Sequence, residues 1–192
     1  MNFLAHIFLS FGDKEITIGN FIADSIRANK FQHLPTKVQK GIKLHRHIDT
    51  YTDAHSIPKI SSRRLHANYS HYSRVIVDIY YDHFLAKNWS KYSDTPLDVF
   101  VEDFYDLLED NYEILPEGVK RMMPYMISDN WLYNYSKMEG IGNVLNGMNR
   151  RTKNKSKMNF AIIDLEEHYD SFEKEFTEFF EELITFSKHK YI

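Results

Sequence analysis

A chain of 192 residues without a single cysteine excludes a disulfide framework, thiol catalysis and thiolate metal sites. With 43% hydrophobic and 15% aromatic residues it is far from disordered composition, and 7 Gly with 5 Pro are too few for an all-β fold of many tight turns. The net charge of −3, from 24 basic and 27 acidic residues, supplies no global field for wrapping nucleic acid.

The apolar stretch Met1–Leu9 carries Asn2 and His6, has no basic leader and runs into Gly12-Asp13, so it predicts a buried helix rather than a secretory signal. Pro35-Thr36 opens a long helix reaching about Thr50, and Pro58 stands near the start of the next. A central helix is expected from His71 to Trp89. Asp94-Thr95-Pro96 opens another, which Pro116-Glu117-Gly118 ends, and a further helix covers roughly Met122 to Tyr135. From Leu165 the positions Tyr169, Phe172, Phe176, Phe179, Leu183 and Phe186 follow at steps of four and three. Large aromatics fit a dimeric coiled coil poorly, so this seam predicts the core face of a last, long helix packed on the rest of the chain. No apolar run approaches 18 residues, so no membrane span is expected and the expected location is the cytoplasm. Helical periodicity prevails, no repeat or domain boundary interrupts it, and the expected fold is a single-domain all-α helical bundle over residues 1–192.

Acids and imidazoles on apolar helix faces are the chemistry-bearing feature. On the helix from His71 to Trp89, Asp78 and Asp82 share a face with Val75 and Leu85. Buried carboxylates one turn apart demand a cation, either a metal ion or Arg and His side chains; a buried salt-bridge network is the structural alternative. His83 lies about 100° further round and reaches the same ion only at the edge of that face. His45 and Asp49, at i and i+4, share the arc of Val38 and Ile42, while Lys37, Lys40, Lys43 and Arg46 occupy the other arc. Asn2 and His6 are likewise at i and i+4, and Asp24 sits in the following helix within Gly19-Asn20-Phe21-Ile22-Ala23-Asp24. His33, His66, His168 and His189 stand apart from such clusters and read as ordinary structural histidines. Nitrogen and oxygen donors without sulfur point to a His/Asp metal site of the phosphohydrolase type.

These same segments carry a resemblance. Met1-Asn2-Phe3-Leu4-Ala5-His6, Gly19 through Asp24, Gly41 through Asp49 with Thr52-Asp53, Asp82-His83-Phe84-Leu85 with Trp89, and Val144-Leu145-Asn146-Gly147-Met148 resemble the acyl carrier protein phosphodiesterase family, in order from the first residue to about Tyr169. The resemblance implies a cytoplasmic, manganese-dependent hydrolase that removes 4′-phosphopantetheine from holo-acyl carrier protein, on a helical fold distantly similar to HD-type phosphohydrolases. On this reading Asp24, His45, Asp49, Asp82 and His83 hold the ion, Mn²⁺ first with Mg²⁺ or Fe²⁺ as alternatives. Asp78 supports them or holds a second ion, Arg46 grips a phosphate oxygen, and His6 or His55 gives the leaving serine its proton.

The run Arg150-Arg151-Thr152-Lys153-Asn154-Lys155-Ser156-Lys157 holds five cations and no acid in a chain that is acidic overall. It is the expected docking patch for an acidic carrier protein; a solvated loop is the plainer reading, and the lack of interleaved aromatics argues against nucleic acid. Two further readings remain at this level: a nucleotide phosphohydrolase using the same ions, and a non-catalytic helical module that binds acyl carrier protein.

Overall fold

The computed structural model describes residues 1–27 and 30–191. Its chain begins with a short helix, α1 (Phe3–Phe8), followed by α2 (Lys14–Ile22), whose first turn is capped by the Asp13 carboxylate accepting from the Ile16 N–H at 3.2 Å. A 3-10 turn, Ala23–Ser25, follows directly. Pro35 then stands immediately before α3 (Thr36–Ala54), which extends a turn beyond the expected end, and His55 joins it to α4 (Ser56–Tyr69). The central helix α5 (Ser73–Lys87) is shorter than expected because Ser70–Tyr72 and Trp89–Lys91 form separate 3-10 turns.

Pro96 and Pro116 precede α6 (Leu97–Asp110) and α7 (Glu117–Ser128) with pre-set φ values of −55° and −59°. The helix expected over Met122 to Tyr135 is in fact two, because Asn130 takes a left-handed conformation between α7 and the single turn α8 (Trp131–Asn134). After α9 (Met138–Arg151), the seam expected to be one last helix is divided between α10 (Ala161–Glu167) and α11 (Tyr169–Tyr191), with His168 at the break. Phe172, Phe176, Phe179 and Leu183 are buried within the chain's own core, as the seam predicted. The described residues contain no strand. None of their helices is long and apolar enough to cross a membrane.

α5 runs through the core: Ile76, Tyr80, Tyr81, Phe84 and Leu85 are fully buried, and each such side chain is worth roughly 1.5–3 kcal/mol. α2 and α3 cross in unusually close contact at two glycines. A Cβ on Gly19 would lie 2.0 Å from the Val38 carbonyl oxygen, and one on Gly41 would lie 2.2 Å from that of Ile16. Only hydrogen fits at this crossing, and the approach brings the backbone of Asn20 within reach of α3.

Candidate metal centre and adjoining cleft

α1, α2 and α3 each bring one residue to a common point. His6 projects from α1, Asn20 from α2, and His45 from α3, all buried, and the two imidazoles stack with centroids 3.9 Å apart. Asn20 orients both rings. Its Nδ2 donates to the His6 carbonyl at 2.7 Å and to Ser10 Oγ at 3.0 Å, so Oδ1 is the atom left to accept from His6 Nδ1 at 2.9 Å. Its backbone oxygen accepts from His45 Nδ1 at 2.8 Å. The Nδ1 atoms being donors, both Nε2 atoms turn to Asp49, one turn along α3 from His45: His6 Nε2 lies 3.2 Å from Asp49 Oδ1 and His45 Nε2 lies 3.0 Å from Oδ2. Asp24, from the 3-10 turn, places Oδ1 3.1 Å from His45 Nε2 while its side chain remains 77% exposed, so it forms the rim.

The charges in this cluster are strongly biased. Burial and the neighbouring His45 push His6 down to about 4, so it is neutral near pH 7. Burial would lower His45 too, but its hydrogen bonds to Asp24 and Asp49 outweigh this and raise it to about 9. Asp49, although partly buried, is held far below the usual carboxylate range by the two imidazoles, and the bond from His45 lowers Asp24.

The donor set fits a divalent cation. His6, His45 and Asp49 present one ligand atom each within 4.8 Å of one another. His6 Nε2 is fully buried and makes no well-aligned hydrogen bond, although Asp49 Oδ1 lies 3.2 Å away. Fixing the Nδ1–H on a carbonyl so that Nε2 is free is the usual support of a metal-bound imidazole.

A cleft of about 250 Å³ adjoins the cluster and is walled in part by Asp24, Asp49, Thr52, Lys59, Ser62 and Arg74. Asp53, Asp78 and Met1 line it too, so four carboxylates face Lys59, Arg74 and the Met1 ammonium.

Of the residues expected to act together from sequence, Asp24, His45, Asp49 and His6 converge. His6 does so through Nε2, its Nδ1 being engaged by Asn20. Asp78 is engaged by the Met1 ammonium at 2.9 Å, a cation that satisfies it without a metal. Burial nevertheless raises its carboxyl above the ordinary range. Asp82, expected as a ligand, instead accepts from the backbone N–H groups of Leu4 at 2.7 Å, Asn2 at 3.2 Å and Ala5 at 3.4 Å, which satisfies the open end of α1. Burial pushes its carboxyl up to about 7 against the pull of the Met1 ammonium and these N–H groups. His83, also expected as a ligand, has both nitrogens committed: Nδ1 donates to the Tyr135 carbonyl at 2.7 Å and Nε2 accepts from the Tyr169 hydroxyl at 2.8 Å. His55 accepts from the Ile57 N–H and pairs with Glu182 at 3.2 Å. Arg46 lies over the Phe31 ring and is not part of the cleft wall.

Asn20, Lys59, Ser62 and Arg74 were not singled out in sequence. Asn20 alone left a signal, as the amide within the apolar run Ile18-Gly19-Asn20-Phe21-Ile22.

Arg150, Arg151, Lys153, Lys155 and Lys157 are all exposed. Lys153, Asn154 and Lys157 adopt left-handed conformations, and the buried Ser156 ties the loop down through Thr152 and Asn149. Phe160 and Ile163, which follow closely, are 56% and 59% exposed.

Fold and site together define an all-helical protein with a candidate His/Asp metal centre beside an open, polar cleft. The profile of the acyl carrier protein phosphodiesterase family matches residues 1–183, and the chain belongs to this family. An Escherichia coli O139:H28 protein named acyl carrier protein phosphodiesterase is 34% identical over 99% of both chains. Relatives of the same name from Photorhabdus laumondii and Pectobacterium atrosepticum are 32% and 30% identical, over 99% and 98% of this chain and 96% and 98% of theirs. No solved structure matches the chain.

Proposed function

We propose that this protein hydrolyses the phosphodiester joining 4′-phosphopantetheine to the serine of holo-acyl carrier protein, using a divalent cation, Mn²⁺ before Mg²⁺ or Fe²⁺, held by His6, His45 and Asp49 with Asp24 at the rim. The family match along nearly the whole chain supports the substrate. The observation that carries the site is the convergence of the buried His6 Nε2, which makes no well-aligned hydrogen bond, and His45 Nε2 on the two oxygens of Asp49. The cleft adds that carboxylates and cations line one polar wall beside the cluster, which suits an anionic phosphodiester held together with a divalent cation.

When bound, such an ion lowers the pKa of a coordinated water and neutralises charge on the phosphoryl oxygens. The chain's own residues bind and orient. Lys59, Arg74 and Ser62 in the wall offer donors to phosphoryl oxygens, and Arg74 takes the phosphate-gripping part that the sequence suggested for Arg46. Asp49 keeps the two imidazoles directed at one point, and Asp24 neutralises charge at the solvent edge.

The test is incubation of holo-carrier with the protein and Mn²⁺, followed by mass spectrometry for loss of the phosphopantetheine arm. Turnover is expected to disappear with EDTA, to return with Mn²⁺, and to fall more than about 100-fold in Asp49→Asn. Full turnover after exhaustive chelation would remove the metal from this reading. Efficient hydrolysis of nucleotides with none of holo-carrier would replace the substrate.

A further inference from the structure

We infer that Asn20 is the positioning residue of the centre: a single residue that holds the Nδ1–H of both imidazoles and so turns both Nε2 atoms toward one point. This rests on the reading of His6, His45 and Asp49 as the cation-binding group, but its geometry stands separately.

Two different carbonyls of Asn20 are used. The side-chain Oδ1 accepts from His6 Nδ1 at 2.9 Å, and the backbone oxygen accepts from His45 Nδ1 at 2.8 Å. The amide cannot be turned round, because its Nδ2 already donates to the His6 carbonyl and Ser10 Oγ, the first of which has no proton to give. The backbone oxygen reaches α3 only because Gly19 and Gly41 bring the helices into contact. Asn20 is fully buried, 0% exposed, so no water competes for these bonds. Both rings thereby keep a proton on Nδ1 and lie stacked, 3.9 Å and 16° apart.

The division between side-chain and backbone carbonyl makes a selective prediction. In ¹⁵N-histidine NMR spectra of the unaltered, metal-free protein, His6 and His45 should both show a protonated, slowly exchanging Nδ1. Asn20→Ala should abolish the fixed form of His6 and leave that of His45, whose acceptor is backbone. Ser10→Ala removes a neighbour of the same amide but keeps both carbonyls, and should leave both rings unchanged. In calorimetric titration with Mn²⁺ alone, Asn20→Ala should weaken binding about 10–100-fold, with little change in Ser10→Ala.

A His6 unprotonated on Nδ1 in the unaltered protein overturns the inference even if Asn20→Ala does not fold. So does an Asn20→Ala variant with unchanged His6 signals, or equal loss of affinity in both variants. Expected NMR behaviour without Mn²⁺ binding to the unaltered protein supports the positioning role and sinks the metal reading instead.

Discussion

His6 and His45 are chemically the same residue, stacked on each other, yet one is driven down to about 4 and the other up to about 9. Burial opposes charge on both, and the difference lies in partners: His45 faces Asp24 and Asp49, whereas His6 meets a cationic His45 beside it. A pH signature follows in chelator-treated protein. The folded value of His45 lies above the ordinary one of 6.5, so its pairing stabilises the fold fully below about pH 6.5 and is lost as the pH rises through about 9. Thermal melts in EDTA from pH 6 to 9.5 should therefore decline more steeply for the unaltered protein than for His45→Asn; parallel curves would show that the pairing adds nothing. The His45/Asp49 spacing was legible in sequence because i, i+4 places both on one arc. The part taken by Asn20 was not, because one of its two acceptors is a backbone oxygen that every residue possesses.

At the scale of elements, the centre depends on how closely α1, α2 and α3 are drawn together. Gly41→Ala places a methyl 2.2 Å from the Ile16 carbonyl oxygen, and the helices must separate. The expected cost is about 1–3 kcal/mol, read as a lower midpoint in denaturant, together with weaker Mn²⁺ binding as the Asn20–His45 bond lengthens. Unchanged stability would mean that the crossing is looser than its geometry. α1 is held at its other end by Asp82. Asp82→Asn sets an amide donor against backbone N–H groups within a fully buried site, and should cost about 1–3 kcal/mol in unfolding experiments. A normal melt with abolished metal binding would return Asp82 to the ligands, where the sequence had placed it. Of the two acids on one face of α5, Asp78 meets the expected cation in the Met1 ammonium, whereas Asp82 is satisfied by backbone N–H groups of α1; both partners depend on where the N-terminal residues fold.

At the scale of the whole molecule, five exposed cations with no acid among them close α9 (Arg150, Arg151) and occupy the loop that follows it (Lys153, Lys155, Lys157). The loop backbone is pinned by Ser156, Thr152 and Asn149, and the exposed Phe160 and Ile163 follow it in the chain. If this surface receives an acidic carrier protein, replacing Lys153, Lys155 and Lys157 by Glu should lower kcat/KM on holo-carrier by about tenfold or more. The loss should be largest at low salt and shrink as the Debye length falls below about 8 Å, with kcat at saturation unchanged. Steady-state kinetics at two ionic strengths decide it, and equal kcat/KM in mutant and unaltered protein would remove the loop from the interface.

The amino-acid sequence by itself determined the all-helical class, most helix starts, the buried aromatic seam and the pairing of His45 with Asp49. All of these follow from periodicity and local chain chemistry, which act over a few residues. Tertiary structure decided which of several equally plausible acids and imidazoles meet. Asp82 and His83 had the composition of ligands, but α1 and the Tyr135 and Tyr169 side of the core claim their polar atoms, while His6, Nδ1 held by Asn20, turns Nε2 toward Asp49. Long-range packing assigns these partners, because a buried polar atom takes the nearest complementary group in space, and spacing along the chain carries no record of that distance.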